Sequence, residues 1–301
     1  DLTSVFYNPA GLNNVSKYEF GIMHSSYFAG IADFDYVGFA MPVDSSFVLG
    51  VALIRFGVDD IPNTTEILDE NGNINYNNIS TFSSSDFAAI FSFANSTNFN
   101  LKYGLSTKII HRKIGPFASA WGFGLDLGFQ YSIESWNLGL FLNDFTSTLN
   151  FWNINQDEYS EQYLESGNYI PEDGIELTAP KVKIGISKNF SLHKDFSLLS
   201  EANFNITWDG KRNTVISTNL LSIDPALGLE FDYKKIGFLR LGIGNFQQEQ
   251  LIDSIDEKIS FQPNFGIGVN IWSFIIDYSL TDLGNASTAL YSNVFTIKYK
   301  W

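Results

Sequence analysis

The stretch that decides the fold is Ala118–Tyr131, ASAWGFGLDLGFQY. Trp121, Phe123, Leu125, Leu127, Phe129 and Tyr131 fall on one side of an extended chain, and Gly122, Gly124, Asp126, Gly128 and Gln130 fall on the other. Successive side chains of a β-strand point to opposite faces, so this segment has one wholly apolar face and one small or polar face.

The pattern recurs in both directions. In Asn98–Arg112, Phe99, Leu101, Tyr103, Leu105 and Ile109 oppose Asn100, Lys102, Gly104, Ser106, Lys108 and Arg112. Leu227, Leu229, Phe231 and Tyr233 oppose Gly228, Glu230 and Asp232, while Phe274, Ile276, Tyr278 and Leu280 oppose Asp277, Ser279 and Thr281. Alternating segments are expected near 18–27, 33–42, 47–57, 85–95, 98–112, 118–132, 135–143, 179–190, 195–208, 225–234, 236–245, 259–270, 272–281 and 291–301. The total is about fourteen, an even number, as single-chain bacterial outer-membrane barrels have.

Connections add a second signal. Short ones fall at Pro42–Ser46, Ser96–Thr97, Ile133–Glu134, Ser191–Lys194, Lys234–Lys235 and Ile271, and they alternate with polar stretches at Asp59–Ser84, Asp144–Leu177, Asp209–Asp224, Phe246–Lys258 and Asp282–Leu290. Short periplasmic turns alternating with long extracellular loops predict a transmembrane antiparallel β-barrel in the bacterial outer membrane, with both termini periplasmic and outer-membrane lipid around it. A soluble sheet with one face in a core would alternate equally well, but it gives no reason for the loop asymmetry. The final segment, Asn293–Trp301, turns Phe295, Ile297, Tyr299 and Trp301 outward and ends on an aromatic residue, which resembles the C-terminal strand signature read by outer-membrane assembly machinery. Trp121, Trp136, Trp208, Trp272 and Trp301 lie near strand ends, where aromatic girdles sit.

Composition agrees. Aromatic residues make up 16% of the 301 residues, including 28 Phe and 14 Tyr, a strand-forming rather than helix-forming composition. No uninterrupted apolar run is long enough to cross a bilayer as a helix. The absence of Cys excludes disulfides and thiolate chemistry. A net charge of −15 without a basic stripe argues against nucleic acid as a partner. His24, His111 and His193 fall on separate strands or turns with no serine motif beside them, so no catalytic residues and no enzymatic activity are expected. The segment DENGNINYN from Asp69 places oxygen-bearing residues at odd positions, but its glycine and glutamate spacing does not match a calcium loop. No metal and no cofactor is expected.

Residues 1–17 precede the first alternating segment and contain Asn8-Pro9-Ala10-Gly11-Leu12. Asn-Pro favours a turn, and a barrel of fourteen strands needs filling, so residues 1–17 read as a plug within a barrel spanning 18–301. A turn leading into the wall is the alternative. Asp1 to Leu12, DLTSVFYNPAGL, resembles the N-terminal motif of the PorV/PorQ family of Bacteroidetes outer-membrane proteins, which are related in architecture to the FadL fatty-acid transporters. The resemblance implies a part in type IX protein secretion, binding cargo proteins or other secretion-machinery proteins at the cell surface. Gly11 stands where cargo-shuttling members often carry a basic residue, so the subfamily stays open.

Acidity gathers in the expected extracellular loops, with Asp59, Asp60, Asp69 and Glu70 in one and Asp157, Glu158, Glu161 and Glu165 in another. These are candidate partner-binding surfaces or simply solubilising loops. Inward charges such as Lys102, Lys108, Arg240, Glu230 and Lys298 are expected to pair with one another or with the plug. The alternative function is a FadL-like transporter of hydrophobic small molecules, with a lateral wall opening and inward apolar residues such as Phe141, Leu199, Phe238 and Ile275. Pro263 marks one candidate break in wall pairing.

Overall fold

The computed structural model describes residues 1–301 except 70–71, 98, 160–163, 165–168, 251–256 and 284–290. Among the described residues, seventeen strand segments run in order: β1 (Glu19–Tyr27), β2 (Ala32–Pro42), β3 (Phe47–Asn63), β4 (Ser80–Ser96), β5 (Leu101–Ile114), β6 (Ala118–Ile133), β7 (Trp136–Asn143), β8 (Thr148–Ile154) and β9 (Gly174–Thr178), then β10 (Lys181–His193), β11 (Phe196–Thr207), β12 (Ile216–Ser217), β13 (Ser222–Tyr233), β14 (Gly237–Gln250), β15 (Glu257–Ile271), β16 (Phe274–Thr281) and β17 (Ser292–Lys300). All pairings are antiparallel, and β1 pairs with both β2 and β17, which closes the sheet on itself. The result is a closed antiparallel barrel of 14 wall strands.

Seventeen segments make fourteen strands because two wall strands are each split and one segment stands apart. β7 and β8 both pair with β6, one after the other. β10 pairs with β7 and β9 pairs with β8, so β9 and β10 are likewise two halves of one strand. β12 is a two-residue flap on β13. The sequence expectation of one long loop over Asp144–Leu177 is corrected here: Thr148–Ile154 and Gly174–Thr178 belong to the wall.

The apolar face of each strand points outward and stays exposed: Trp121, Phe123, Leu227, Leu229, Phe295 and Ile297 all lie on the outer surface. A closed barrel leaves no free sheet edge, so every wall amide can be paired without water, which is the condition for spanning lipid. β3 and β4 are 17 residues each, about 55 Å at roughly 3.3 Å per residue, far more than the 9–11 residues a tilted strand needs to cross a bilayer. Their hairpin therefore projects from one rim. Two connections at that rim, at residues 28–31 and 115–117, are short, so the alternation of long and short loops is less regular than the sequence suggests. Lys188 reaches over the Trp136 ring (4.6 Å) and the Phe190 ring (5.0 Å) near the opposite, short-turn rim, as cationic and aromatic residues do at a membrane interface.

The buried apolar core lies inside the barrel. Leu2, Val5, Leu12 and Val15 pack against Tyr36, Ala40, Val48, Ala52, Ile54, Ile90 and Ala94 of β2, β3 and β4. Ion pairs line the lumen along β13, β14, β16, β17 and β1. Arg240 binds Glu230 and Asp277 (both 2.6 Å), Lys298 reaches Asp1 (2.7 Å), and Lys300 binds the buried Glu19 (2.9 Å) across the β1–β17 seam.

Candidate functional site

The N-terminal segment occupies the lumen as a short helix, α1 (Ser4–Tyr7), followed by a 3-10 turn, Pro9–Asn14. Asn8 joins them. Its Oδ1 accepts from the Ala10 N–H (3.1 Å), and Pro9 occupies the first turn position, where a missing N–H costs nothing. The Asn8 amide then donates to the Leu140 carbonyl (3.2 Å) and the Phe129 carbonyl (3.5 Å) of the wall. Pro9, Ala10, Gly11 and Leu12 are all buried. Leu2 is fixed at both ends, donating its N–H to Glu19 Oε2 (3.0 Å) and accepting from the Tyr36 hydroxyl (3.0 Å).

Glycines on the inward face admit this segment. A Cβ at Gly104 would sit 2.5 Å from the Pro9 carbonyl carbon and 2.7 Å from the Ala10 nitrogen, and one at Gly50 would sit 2.8 Å from Val5 Cγ2. A Cβ at Gly128 would collide with Asn8 Oδ1. The sequence shows Gly104 and Gly128 only as members of a small or polar face and gives Gly50 no distinction. Their role appears once the segment lying on them is known.

Beside the plug lies a lumenal cavity of about 670 Å³, bounded by Tyr7, Asn8 and Asn14 of the plug and by residues of β5, β6, β7, β10, β11 and β13. Its lining mixes Phe141, Leu199 and Ala226 with Lys102, Lys183, Glu201, Gln130, Asn137, Asn203 and Asn205. Lys183 lies over the Phe141 ring (5.8 Å), and Lys102 Nζ donates to Asn14 Oδ1 (2.5 Å). Gly139 and Gly185 face each other across the β7–β10 ladder, and a Cβ at Gly139 meets nothing nearer than the Gly185 carbonyl at 4.0 Å, so cavity space begins at that wall.

On β7 and β10 the cavity lining extends to Phe141 and Lys183, and a few residues further along both strands the wall is interrupted. Between the Leu127–Leu142 and Phe123–Leu149 pairs, three residues of β6 face six residues, 143–148, of the neighbouring strand. On the other side only Ala179 and Pro180 face 144–147. Asp144 and Ser147 both have positive φ (54° and 60°), and Phe145 N–H returns to the Leu125 carbonyl at 3.0 Å. The inner side of this insertion is closed by charge. Lys108 Nζ donates to Asp126 Oδ1 (2.8 Å) and to Asp144, the Asp144 N–H donates to Asp126 (2.7 Å), Asn143 Nδ2 donates to Asp144 Oδ2 (2.7 Å), and the Thr148 hydroxyl donates to Asp144. The side chains of Lys108, Asp126 and Asp144 are 11%, 5% and 11% exposed. Sequence reading placed Lys108 and Asp126 inward but left Asp144 at a loop start, so the cluster was not visible as a unit.

Of the acidic residues singled out in the sequence, Asp59 and Asp60 lie within β3 at a bulge between Val58 and Ile61 rather than in a loop, and Asp59 pairs with Arg55 (3.5 Å). Asp69 accepts from the Asn73 N–H of its own loop (2.8 Å). Asp157 and Glu158 form a 3-10 turn after β8. Glu70, Glu161 and Glu165 lie outside the described residues. Pro263 stays in register opposite Ile243, beside a bulge between Gly244 and Gln247 of β14. His24 pairs with Asp35 (2.8 Å) and His111 packs on Trp121 (4.6 Å).

With this geometry in place, solved structures supply a comparison. The P. putida toluene transporter TodX matches with a TM-score of 0.62 at 12% identity, over 100% of this chain and 94% of that one. The CymD monoaromatic hydrocarbon channel matches with a TM-score of 0.61 at 12% identity, over 100% and 93%. A Pseudomonas aeruginosa FadL homologue matches with a TM-score of 0.55 at 11% identity, over 100% and 94%. The fold is that of the FadL-like barrels. No protein-family model and no curated protein matches the chain. At these identities the likeness is one of architecture.

Proposed function

We propose that the barrel is a non-enzymatic outer-membrane passage for hydrophobic small molecules, with the short-turn rim and both termini in the periplasm. The observation that carries this reading is the 670 Å³ lumenal cavity, whose lining on β7 and β10 extends to Phe141 and Lys183, three residues from the interruption of the wall at residues 144–147 and 179–180. Such a volume is in the range of small-molecule sites, about 300–1,000 Å³. The mixed lining suits a compound with an apolar body and one polar end, with Phe141 and Leu199 against the body and Lys183 and the amide side chains near the polar end. Structural neighbours described as transporters and channels for toluene and monoaromatic hydrocarbons support the reading.

The test is entry of radiolabelled 4-toluate, an apolar ring with one anionic end, into Gram-negative host cells expressing the barrel. Gly139→Phe places a ring into the cavity from a position with no steric obstacle nearby. Entry is expected to fall in this variant to the rate of cells lacking the barrel. Equal entry with wild type and variant, at matched amounts of folded protein, would refute the assignment.

A second reading is a scaffold for proteins of type IX secretion. Its support is the β3–β4 hairpin, which projects beyond the membrane with Asp59 and Asp60 on it, and the ion pairs that line the lumen around Arg240. Stoichiometric co-purification of secreted proteins from mild-detergent extracts, with no retained hydrophobic ligand, would favour it over transport.

A further inference from the structure

The lipid-facing surface carries a groove of about 470 Å³ at the short-turn rim, between β10, β11, β13 and β14. The Phe196 and Tyr233 rings, 5.0 Å apart, form one side, and Leu192, Phe231 and Leu239 extend it. Its floor is Gly237, where a Cβ would meet nothing within 4 Å. At Gly237 the wall puts no side chain into the groove.

At its mouth stands a turn that the backbone does not favour. Tyr233–Ile236 is closed by the Ile236 N–H on the Tyr233 carbonyl (2.9 Å), and its two central residues, Lys234 and Lys235, both have positive φ (53° and 55°). Turns of this hand ordinarily take Asn-Gly, because a Cβ is unfavourable there. Two lysines held against that preference point to a use for their charge. Lys234 Nζ lies over the Tyr233 ring (5.4 Å) and 3.7 Å from Asp195. Asp232 is turned inward to the Ser197 hydroxyl (3.1 Å) and the Lys235 N–H. Lys194 and Lys235 are exposed and have no acidic side-chain partner among the described residues. In a chain of net charge −15, this rim therefore presents clustered cations beside an apolar furrow.

We propose that the groove holds an acyl chain of an anionic phospholipid from the surrounding leaflet, with Lys194, Lys234 and Lys235 binding its phosphate-bearing headgroup. The furrow accommodates a chain that a filled wall would exclude, and basic residues at a membrane surface select anionic headgroups.

The test is native mass spectrometry of the delipidated barrel offered equal amounts of phosphatidylglycerol and phosphatidylcholine with identical chains. Wild type is expected to retain one phosphatidylglycerol with a preference of about tenfold or more, the scale set by two or three lysines at a charged surface. Lys234→Asn/Lys235→Gly suits the turn and keeps the fold, and it is expected to bind both lipids equally. Gly237→Leu is expected to retain neither. Equal retention of the two lipids by wild type, an undiminished preference in the double variant, or full retention by Gly237→Leu would each overturn the proposal.

Discussion

Lys108→Met is expected to destabilise the barrel by about 3–5 kcal/mol, because it leaves the carboxylates of Asp126 and Asp144 buried against each other with no cation between them. Removing one member of a buried ionic cluster costs more than the cluster contributes, since the stranded charges keep their desolvation penalty. Here the damage has a defined location. Asp144 begins the four-residue insertion that interrupts the wall, and its backbone N–H and side chain both depend on this cluster. Amide exchange at Phe145 and Ser147, between β7 and β8, should accelerate before that of the neighbouring β6 and β10 is affected, and the urea midpoint in detergent micelles should fall. Adding Asp126→Asn to Lys108→Met should recover part of the loss by removing one of the unpaired charges. Unchanged exchange at 144–147 together with a wild-type midpoint would show that the cluster does not hold the wall closed.

Gly104→Val is expected to separate the plug from the barrel. Overpacking by a side chain ordinarily costs about 1–3 kcal/mol when neighbours can yield. At Gly104 the obstacle is backbone, the Pro9 carbonyl carbon at 2.5 Å and the Ala10 nitrogen at 2.7 Å, and rotamer changes cannot relieve it. The wall strand is fixed on both edges by its β4 and β6 ladders. The plug is the part that moves. Protection of the amides of residues 1–15 against hydrogen exchange should collapse while that of β5 persists, and protease should cut within residues 1–17 of the variant alone. Gly104→Ala should show the same direction with a smaller effect. Retained protection of residues 1–15 in the valine variant would mean that the segment is not held by this contact.

Much of the barrel was legible in the sequence because alternation with period two is enforced at each wall residue. Lipid accepts only one face of Ala118–Tyr131, and a single-residue slip would reverse every side chain. The split strands were not legible for the same reason. Thr148–Ile154 alternates over only seven residues and Gly174–Thr178 over five, within a polar stretch that reads as loop. The Asn8–Leu12 segment announced a turn through Asn-Pro, but its destination depends on Gly50, Gly104 and Gly128, far away in sequence, whose common property is the absence of a side chain. The Lys108 cluster draws its members from β5, β6 and the insertion after β7, and no local spacing links them.

The position of the plug also bears on the order in which the chain assembles. Apart from the Asp1–Lys298 ion pair, its contacts described above are to β1 through β7, all within the first half of the chain, whereas the seam joins Glu19–Ser26 to Asn293–Lys300 at the far end. Threading a folded segment into an already closed cylinder would require passing buried Leu2 and Leu12 along a lumen lined with charge. Laying it onto an open, curved half-sheet requires no such passage, and pairings near in sequence form at lower entropic cost than pairings between the ends. Closure of the β1–β17 seam is then the event that imprisons the plug, and the Glu19–Lys300 pair across that seam works as a clasp, fastened last over contents already in place.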